Sequence, residues 1–219
     1  MWAILRKDLA IERRTGEILS SLLLLALLVV LVFAFTLEPE RLRDPGLLAG
    51  LVWATLLLSS TLAFGRSMVL EREAGAWTAL AMAPIDRGSV FLGKVAANLV
   101  LLLAAALLVL PVMAVLLGTK TLTPSPLLGL SLVLGTTGMA AAGTLGAALA
   151  SRTRAREVLL PVVTFPLLAP LLIAVVRTTA GGLVGTPLVA LRPWLVLLGS
   201  FDLVFLVVGW LTFDHVLED

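Results

Sequence analysis

A short charged and aromatic run, lying between two long apolar stretches, is the first place in this sequence where contact chemistry is expected. Its residue types alternate acidic, basic and bulky apolar side chains: Glu71, Arg72, Glu73, Gly75, Trp77, Leu80 and Pro84. This alternation is typical of a helix that lies along a membrane surface, with the proline at its end. A solvated, well-capped surface helix would share the pattern, since acids near a helix start are favoured by its dipole. We favour a docking surface for a soluble partner.

Residues 88–95 match most of a phosphate-binding loop but lack the residue that holds magnesium. Gly88, Gly93 and Lys94 have the required spacing, whereas Val95 stands where a Ser or Thr is needed. No buried strand precedes the match. We interpret it as a loop leading into a membrane-spanning helix, with Lys94 extending its amine to the membrane surface. The chain is therefore not expected to bind and hydrolyse ATP by itself.

Asp202 is a second candidate, because it lies inside an apolar run that is long enough to cross a membrane. A carboxylate at that depth is costly unless it is paired or protonated, so it is a functional candidate by default. Two other interpretations remain open: a structural ion pair with Arg177 or Arg192, or a position closer to the membrane surface.

Several kinds of chemistry are excluded by composition. The chain has no cysteine and a single histidine, His215, so neither a metal-ligand cluster nor a Ser/His/Asp set is expected. No basic arm or basic aromatic face suits a nucleic acid. Intrinsic catalysis and nucleic-acid binding are therefore not predicted.

The bulk composition predicts an integral membrane protein. Hydrophobic residues make up 60% and charged residues 14% of the chain, and the mean hydropathy is +1.10. A helix needs about 20 apolar residues to cross the hydrocarbon core. We predict one all-α transmembrane domain over residues 1–219, with spans at 18–37, 47–65, 90–118, 127–150, 158–176 and 194–213.

Loop charges predict the orientation. Eleven Lys and Arg residues flank one side and five the other, which places both termini and the polar segment 66–89 in the cytoplasm. Residues 1–17 read as an amphipathic interfacial helix, because apolar residues recur at spacings of three and four. This helix is either a topological anchor or a docking element.

Three features of the later spans concern packing and movement. Small residues recur every four positions in the fourth span, at Gly138, Ala142, Gly146 and Ala150, which favours close packing within the subunit over a dimer seam. Prolines in the fifth span indicate either a moving part or a fixed bent wall: Pro161, Pro166 and Pro170. Glycines in residues 177–193 favour a re-entrant or interfacial element.

Several runs together resemble the heme exporter protein B family, over nearly the whole chain. The most specific are Gly-x-x-Trp-x-x-x-x-x-Ser-Ser at residues 50–60 and Pro-Leu-x-x-Pro-Leu-Leu-Ile at residues 166–173. Further matches are Arg66, residues 75–84, Lys94 with Val95, Pro111 and residues 116–118. The acidic segment ending at Gly75 is shared more broadly with ABC-2-type exporters. Members of the family often have Asp-Gly there, whereas this chain has Ala74-Gly75 after Glu71 and Glu73.

The resemblance implies a six-helix ABC-2-type permease of the bacterial inner membrane, acting in heme export and heme delivery for c-type cytochrome maturation. Residues 71–84 would be the coupling helix for a separate cytoplasmic ATPase, which holds ATP and magnesium. Further partners would be a heme-handling membrane subunit, membrane lipid and either a second copy of this chain or a different membrane subunit.

Heme is the implied cargo of the pathway, and this chain is not expected to bind it as a cofactor. Heme iron is usually held by His, Cys, Met or Tyr, and only Met113 and Met139 lie well inside predicted spans. Two alternatives remain: an ABC-2-type exporter of another hydrophobic or lipid-linked substrate, and an assembly scaffold that releases the heme-loaded chaperone without translocation.

Overall fold

Seven α-helices and one short 3-10 turn make up the described part of the chain in a computed structural model, which describes residues 1–38, 40–73, 86–117, 125–151 and 156–218. The helices are α1 (Trp2–Thr15), α2 (Glu17–Thr36), α3 (Pro45–Glu73), α4 (Arg87–Leu116), α5 (Pro126–Ala150), α6 (Arg156–Leu183) and α7 (Leu188–Glu218), and the 3-10 turn is Arg41–Arg43. Helices α2 to α7 are each long and apolar enough to cross a membrane. The prediction of an all-α protein with six spans is confirmed.

Short polar residues set the starts of three membrane helices. The side chain of Asp44 accepts a hydrogen bond from the Gly46 amide at 2.7 Å, just where α3 begins. Asp86 accepts from the Ser89 amide at 3.0 Å before α4, and the Ser125 hydroxyl accepts from the Leu128 amide at 3.1 Å before α5. Each bond satisfies a backbone donor that the first helical turn leaves without a partner.

A tight turn joins α1 to α2. Gly16 has a φ of 63°, which favours glycine, and its amide donates to the Glu12 carbonyl at 2.7 Å. The Glu12 carboxylate then accepts from the amides of Ile18, at 3.3 Å, and Leu19, at 2.7 Å. Glu12 is buried, yet its charge lies at the positive end of α2. The turn therefore fixes the angle between the two helices.

Helix α5 lies at the centre of the bundle. It contacts α3, α4, α6 and α7 and is the most buried of the six spans. Glycine is required where neighbours approach its backbone: a Cβ at Gly143 would lie 2.1 Å from the Phe64 ring, and one at Gly146 would lie 2.7 Å from the Thr164 hydroxyl oxygen. Ala142, on the same helix, is also fully buried. The small-residue ladder thus lies against helices of the same chain.

Helices α6 and α7 differ from the sequence interpretation of residues 177–193. No separate re-entrant or interfacial element forms there, because α6 continues to Leu183 and α7 begins at Leu188. The two helices are joined by a turn at residues 184–187, in which Gly185 has a φ of 70°. The remaining glycines of this stretch are helical. Helix α6 is also continuous through its three prolines, of which Pro166 and Pro170 are exposed on the bundle surface.

Candidate functional site

The charged run that the sequence singles out begins at the end of α3. Glu71, Arg72 and Glu73 belong to the last turn of this helix and so continue the second span. The other predicted docking residues lie outside the described residues: Gly75, Trp77, Leu80 and Pro84. What the structure does show is how the two helices that flank this run are held.

On the α4 side, the run is followed by a close contact with α1. The Lys94 amine lies 3.0 Å from a carboxylate oxygen of Asp8, and only 4% of the Lys94 side chain is exposed. A Cβ at Gly93 would lie 2.9 Å from the Met1 carbonyl oxygen and 3.0 Å from the Ile4 Cβ. The prediction that Lys94 extends to the membrane surface is therefore wrong. Its charge is buried and paired, because α1 covers this part of α4.

On the α3 side, a second ion pair joins the helix end to α2. The Arg66 guanidinium contacts the Glu17 carboxylate, and Glu17 is the first residue of α2. Since Glu12 caps the same end of α2, α1 is linked directly to α4 and, only through α2, to α3. We call this set of residues the α1 junction: Asp8, Glu12, Glu17, Arg66 and Lys94.

The start of α4 is also held by α7, through two aromatic rings that lie on glycines. A Cβ at Gly88 would lie 2.2 Å from the Trp210 ring, and one at Gly209 would lie 2.1 Å from the Phe91 ring. The Phe91 and Phe213 ring centroids are 5.5 Å apart. The first turns of α4 are therefore packed on α1 and α7 at once, so a displacement of α4 here is expected to displace both helices.

Asp86, at the N-cap of α4, is the exposed acid next to this contact. Its carboxylate accepts from the Ser89 amide, at 3.0 Å, and from the Ser89 hydroxyl, at 2.7 Å. The hydrogen bond from the Ser89 hydroxyl lowers the pKa of Asp86 below the ordinary value of an aspartate. Asp86 is thus ionised at neutral pH, where it stabilises the beginning of α4.

Asp202 lies deep in the bundle, on α7. The residue is 6% exposed, and neither of its carboxylate oxygens has a hydrogen-bond partner among the described residues. A Cβ at Gly138 would lie 2.5 Å from one of these oxygens. The ion pair with Arg177 or Arg192 that the sequence left open is not formed within the described ranges: the Asp202 oxygens have no partner there, whereas both arginines are exposed. Asp202 remains a candidate without an assigned partner.

Two buried hydrogen bonds between helices were not anticipated from the sequence. The Asn98 amide donates to the Thr144 hydroxyl at 2.8 Å, which joins α4 to α5. The Trp53 indole donates to the Thr179 hydroxyl at 2.9 Å, which joins α3 to α6. The signal for Asn98 was present, since it is the only asparagine of the chain and lies in an apolar run. Such bonds align helices where lipid provides no hydrophobic drive.

Metal-ligating side chains do not cluster in the described part of the chain. Within those ranges, no group of three or more His, Cys, Asp or Glu residues could hold a metal ion. Met113 and Met139 are completely buried in the core. What the arrangement offers is two membrane helices, α3 and α4, which flank a charged stretch of sequence and are attached to the N-terminal helices, α3 to α2 and α4 to α1.

Comparison with known proteins agrees with this architecture. The chain matches the family model described as CcmB protein over residues 1–219. It is 33% identical over 189 residues to heme exporter protein B of Rhodobacter capsulatus, covering 84% of this chain and 85% of the relative. It is 34% identical over 186 residues to heme exporter protein B of Paracoccus denitrificans, covering 83% and 84%. Heme exporter protein B of Pseudomonas aeruginosa is 30% identical over 191 residues, covering 87% and 85%. The chain belongs to the CcmB protein family.

Proposed function

We propose that this protein is the membrane permease subunit of an ABC-type complex that acts in heme export for c-type cytochrome maturation. The name of its relatives, heme exporter protein B, supports the cargo and the pathway. Six apolar helices support a permease in the bacterial inner membrane. The excess of loop arginines supports cytoplasmic termini. The ATPase activity belongs to a separate cytoplasmic subunit.

One observation carries the coupling mechanism: the N-terminal helix pair is attached to both helices that flank the charged run, α1 directly to α4 and α2 directly to α3. Lys94 joins α4 to Asp8, and Arg66 joins α3 to Glu17 at the start of α2. When the ATPase closes on ATP and magnesium, its contact with residues 71–84 would displace the ends of α3 and α4 together. The bundle would then shift from one conformation to another, because the ATP-bound ATPase binds the two conformations with different affinities.

In this proposal the chain transmits the movement of the ATPase and provides no ligand to the heme iron. Of the methionines in the described spans, Met113 and Met139 lie well inside, and both side chains are enclosed by the core. A heme-handling membrane subunit of the same pathway would hold the cargo. The membrane partner of this subunit would be a second copy or a different permease chain.

Co-purification with the cytoplasmic ATPase tests the docking assignment. The double variant Glu71→Ala, Glu73→Ala is expected to lose ATPase binding and stimulated ATP turnover. A matched control is Glu38→Ala, Glu40→Ala, which removes two acids from the connection at the other end of the spans. Intact ATPase binding in the first variant would show that these acids are not the docking site.

Reconstituted vesicles distinguish the two functional alternatives. ATP-dependent accumulation of heme would support translocation through this permease. Release of the heme-loaded chaperone without any heme flux would support a non-translocating scaffold. Accumulation of a different lipid-linked substrate, with no response to heme, would contradict the proposed cargo.

A further inference from the structure

A cavity of about 290 Å³ lies at the end of the bundle away from α1, where α6 turns into α7 beside the first residue of α3. Most of its lining is apolar, and it includes Pro45, Val184 and Leu191. Two side chains give it a different character, because Arg177 contributes a guanidinium and Trp194 an indole. The cavity thus combines a cation and the polar residue Thr186 with walls that are mostly apolar.

The turn between α6 and α7, which forms one wall of the cavity, is fixed by backbone geometry. A Cβ at Gly181 would lie 2.7 Å from Leu191 side-chain carbons, so α6 and α7 approach closely there. The Thr186 amide donates to the Gly181 carbonyl at 2.8 Å, and Gly185, at a φ of 70°, lets the chain reverse. The cavity therefore exists before any ligand binds, which lowers the entropic cost of binding.

The charge of Arg177 is not neutralised by any group in the described part of the protein. In the described ranges its guanidinium makes neither a hydrogen bond nor an ion pair, and the residue is exposed. It lies six residues before the end of α6 at Leu183, or about 9 Å along the helix. From a position this close to the end of a membrane helix, arginine and tryptophan side chains reach the headgroup layer of a membrane. An acidic group in that layer is the natural counter-ion.

We propose that this cavity binds the head of an acidic amphiphile, with its phosphate or carboxylate on Arg177 and its apolar portion against Trp194 and Leu191. The planar guanidinium forms two parallel hydrogen bonds to either kind of acid. The volume is near the lower end of the range for ligand sites, about 300 Å³, so it suits a headgroup rather than a whole lipid. Two sources share this chemistry, an anionic phospholipid and the carboxylates of heme.

The lipid source is tested by titrating the purified full-length protein, in neutral detergent, with phosphatidylglycerol or phosphatidylcholine and counting bound lipid by native mass spectrometry. Phosphatidylglycerol is expected to bind with saturation and phosphatidylcholine is not. Arg177→Gln should weaken phosphatidylglycerol binding about tenfold. Arg192→Gln is the matched control, since Arg192 is exposed on α7 but does not line the cavity, and it should leave binding unchanged.

Val184→Trp provides an independent variant, because it fills the cavity while keeping the charge. Val184 is 61% exposed, so the larger side chain is tolerated by the fold. This variant should also weaken binding. If Arg177→Gln and Arg192→Gln weakened phosphatidylglycerol binding equally, the binding would be due to general surface charge, and the proposal would be overturned.

The heme source is tested in the same assay with hemin and hemin dimethyl ester, and this arm alone rests on the proposed function. Hemin binding that needs Arg177 and is lost in the ester would assign the carboxylates as the ligand. Phosphatidylglycerol binding without hemin binding would assign the lipid and leave the site standing, whatever the cargo of the complex. Saturable binding of neither probe would overturn the site.

Discussion

The amine of Lys94 lies 3.0 Å from the carboxylate of Asp8, although 86 residues separate them in the chain. The preceding Gly93 lets the backbone of α1 approach α4. The Gly-Lys pair that imitates part of a phosphate-binding loop is therefore explained by helix docking. Glycine provides the close approach, and lysine provides the charge that the N-terminal helix binds.

Replacing Asp8 by Asn is expected to lower the free energy of unfolding by about 1.5–3 kcal/mol, because the buried Lys94 amine loses its charged hydrogen-bond partner on α1. Unfolding of the purified protein in detergent, followed by helical circular dichroism, measures the change. Glu38→Gln is the control, since it breaks the exposed contact with Arg41 at 3.7 Å and should change stability by less than about 1 kcal/mol. Equal effects of the two variants would contradict a structural role for the α1 contact.

Gly138→Ala is expected to destabilise the bundle by about 1–3 kcal/mol, because the new methyl group would lie 2.5 Å from Asp202 and 2.7 Å from Leu171. Gly129→Ala tests the same substitution in the same helix at an open position, with no atom within 4 Å. It should be neutral or stabilising by about 0.5–1 kcal/mol, since alanine favours a helix over glycine. The difference between their thermal midpoints measures the close approach, and a difference near zero would exclude it.

Asp202→Asn is expected to leave the protein folded and to raise the free energy of unfolding by roughly 1–3 kcal/mol. The carboxylate is buried with no hydrogen-bond partner among the described residues, and asparagine has the same shape but does not ionise. A loss of stability would instead reveal a structural partner for Asp202. If the variant is stable but its complex fails to export heme, the carboxylate is retained for function.

The cap at Asp86 predicts a pH dependence for the start of α4. Because its pKa is lower in the folded protein than the ordinary 3.8, its contribution is complete above that value and is lost as the pH falls through the lower, folded value. Hydrogen exchange at the Ser89 amide should therefore become less protected in strongly acidic buffer, after correction for intrinsic rates. Asp86→Asn keeps an N-cap acceptor that does not ionise and should remove this dependence. Unchanged pH dependence in that variant would assign it to another group.

The number and type of the membrane helices could be predicted from the sequence, because the length of an apolar run alone determines whether it spans a bilayer. Contacts between distant residues could not. Lys94 and Asp8 show this, since nothing local indicates which acid a buried lysine will meet. The role of a glycine in an apolar run is ambiguous, because glycine can either break a helix or permit close packing. Gly181 suggested a break in the helix, whereas in the structure it allows the close approach of Leu191. The lone polar residue Asn98 was the clearest unused signal for a helix contact.

The central position of α5 constrains how this protein can be assembled in the membrane. Of the six spans it is the least apolar, and two of the helices that enclose it, α6 and α7, are synthesised after it. As it leaves the ribosome, α5 must therefore enter the lipid with its glycine face uncovered or wait beside the insertion machinery for the last third of the chain. Truncations after residue 151 should accordingly be recognised as orphaned segments and degraded, even though they contain four complete membrane helices.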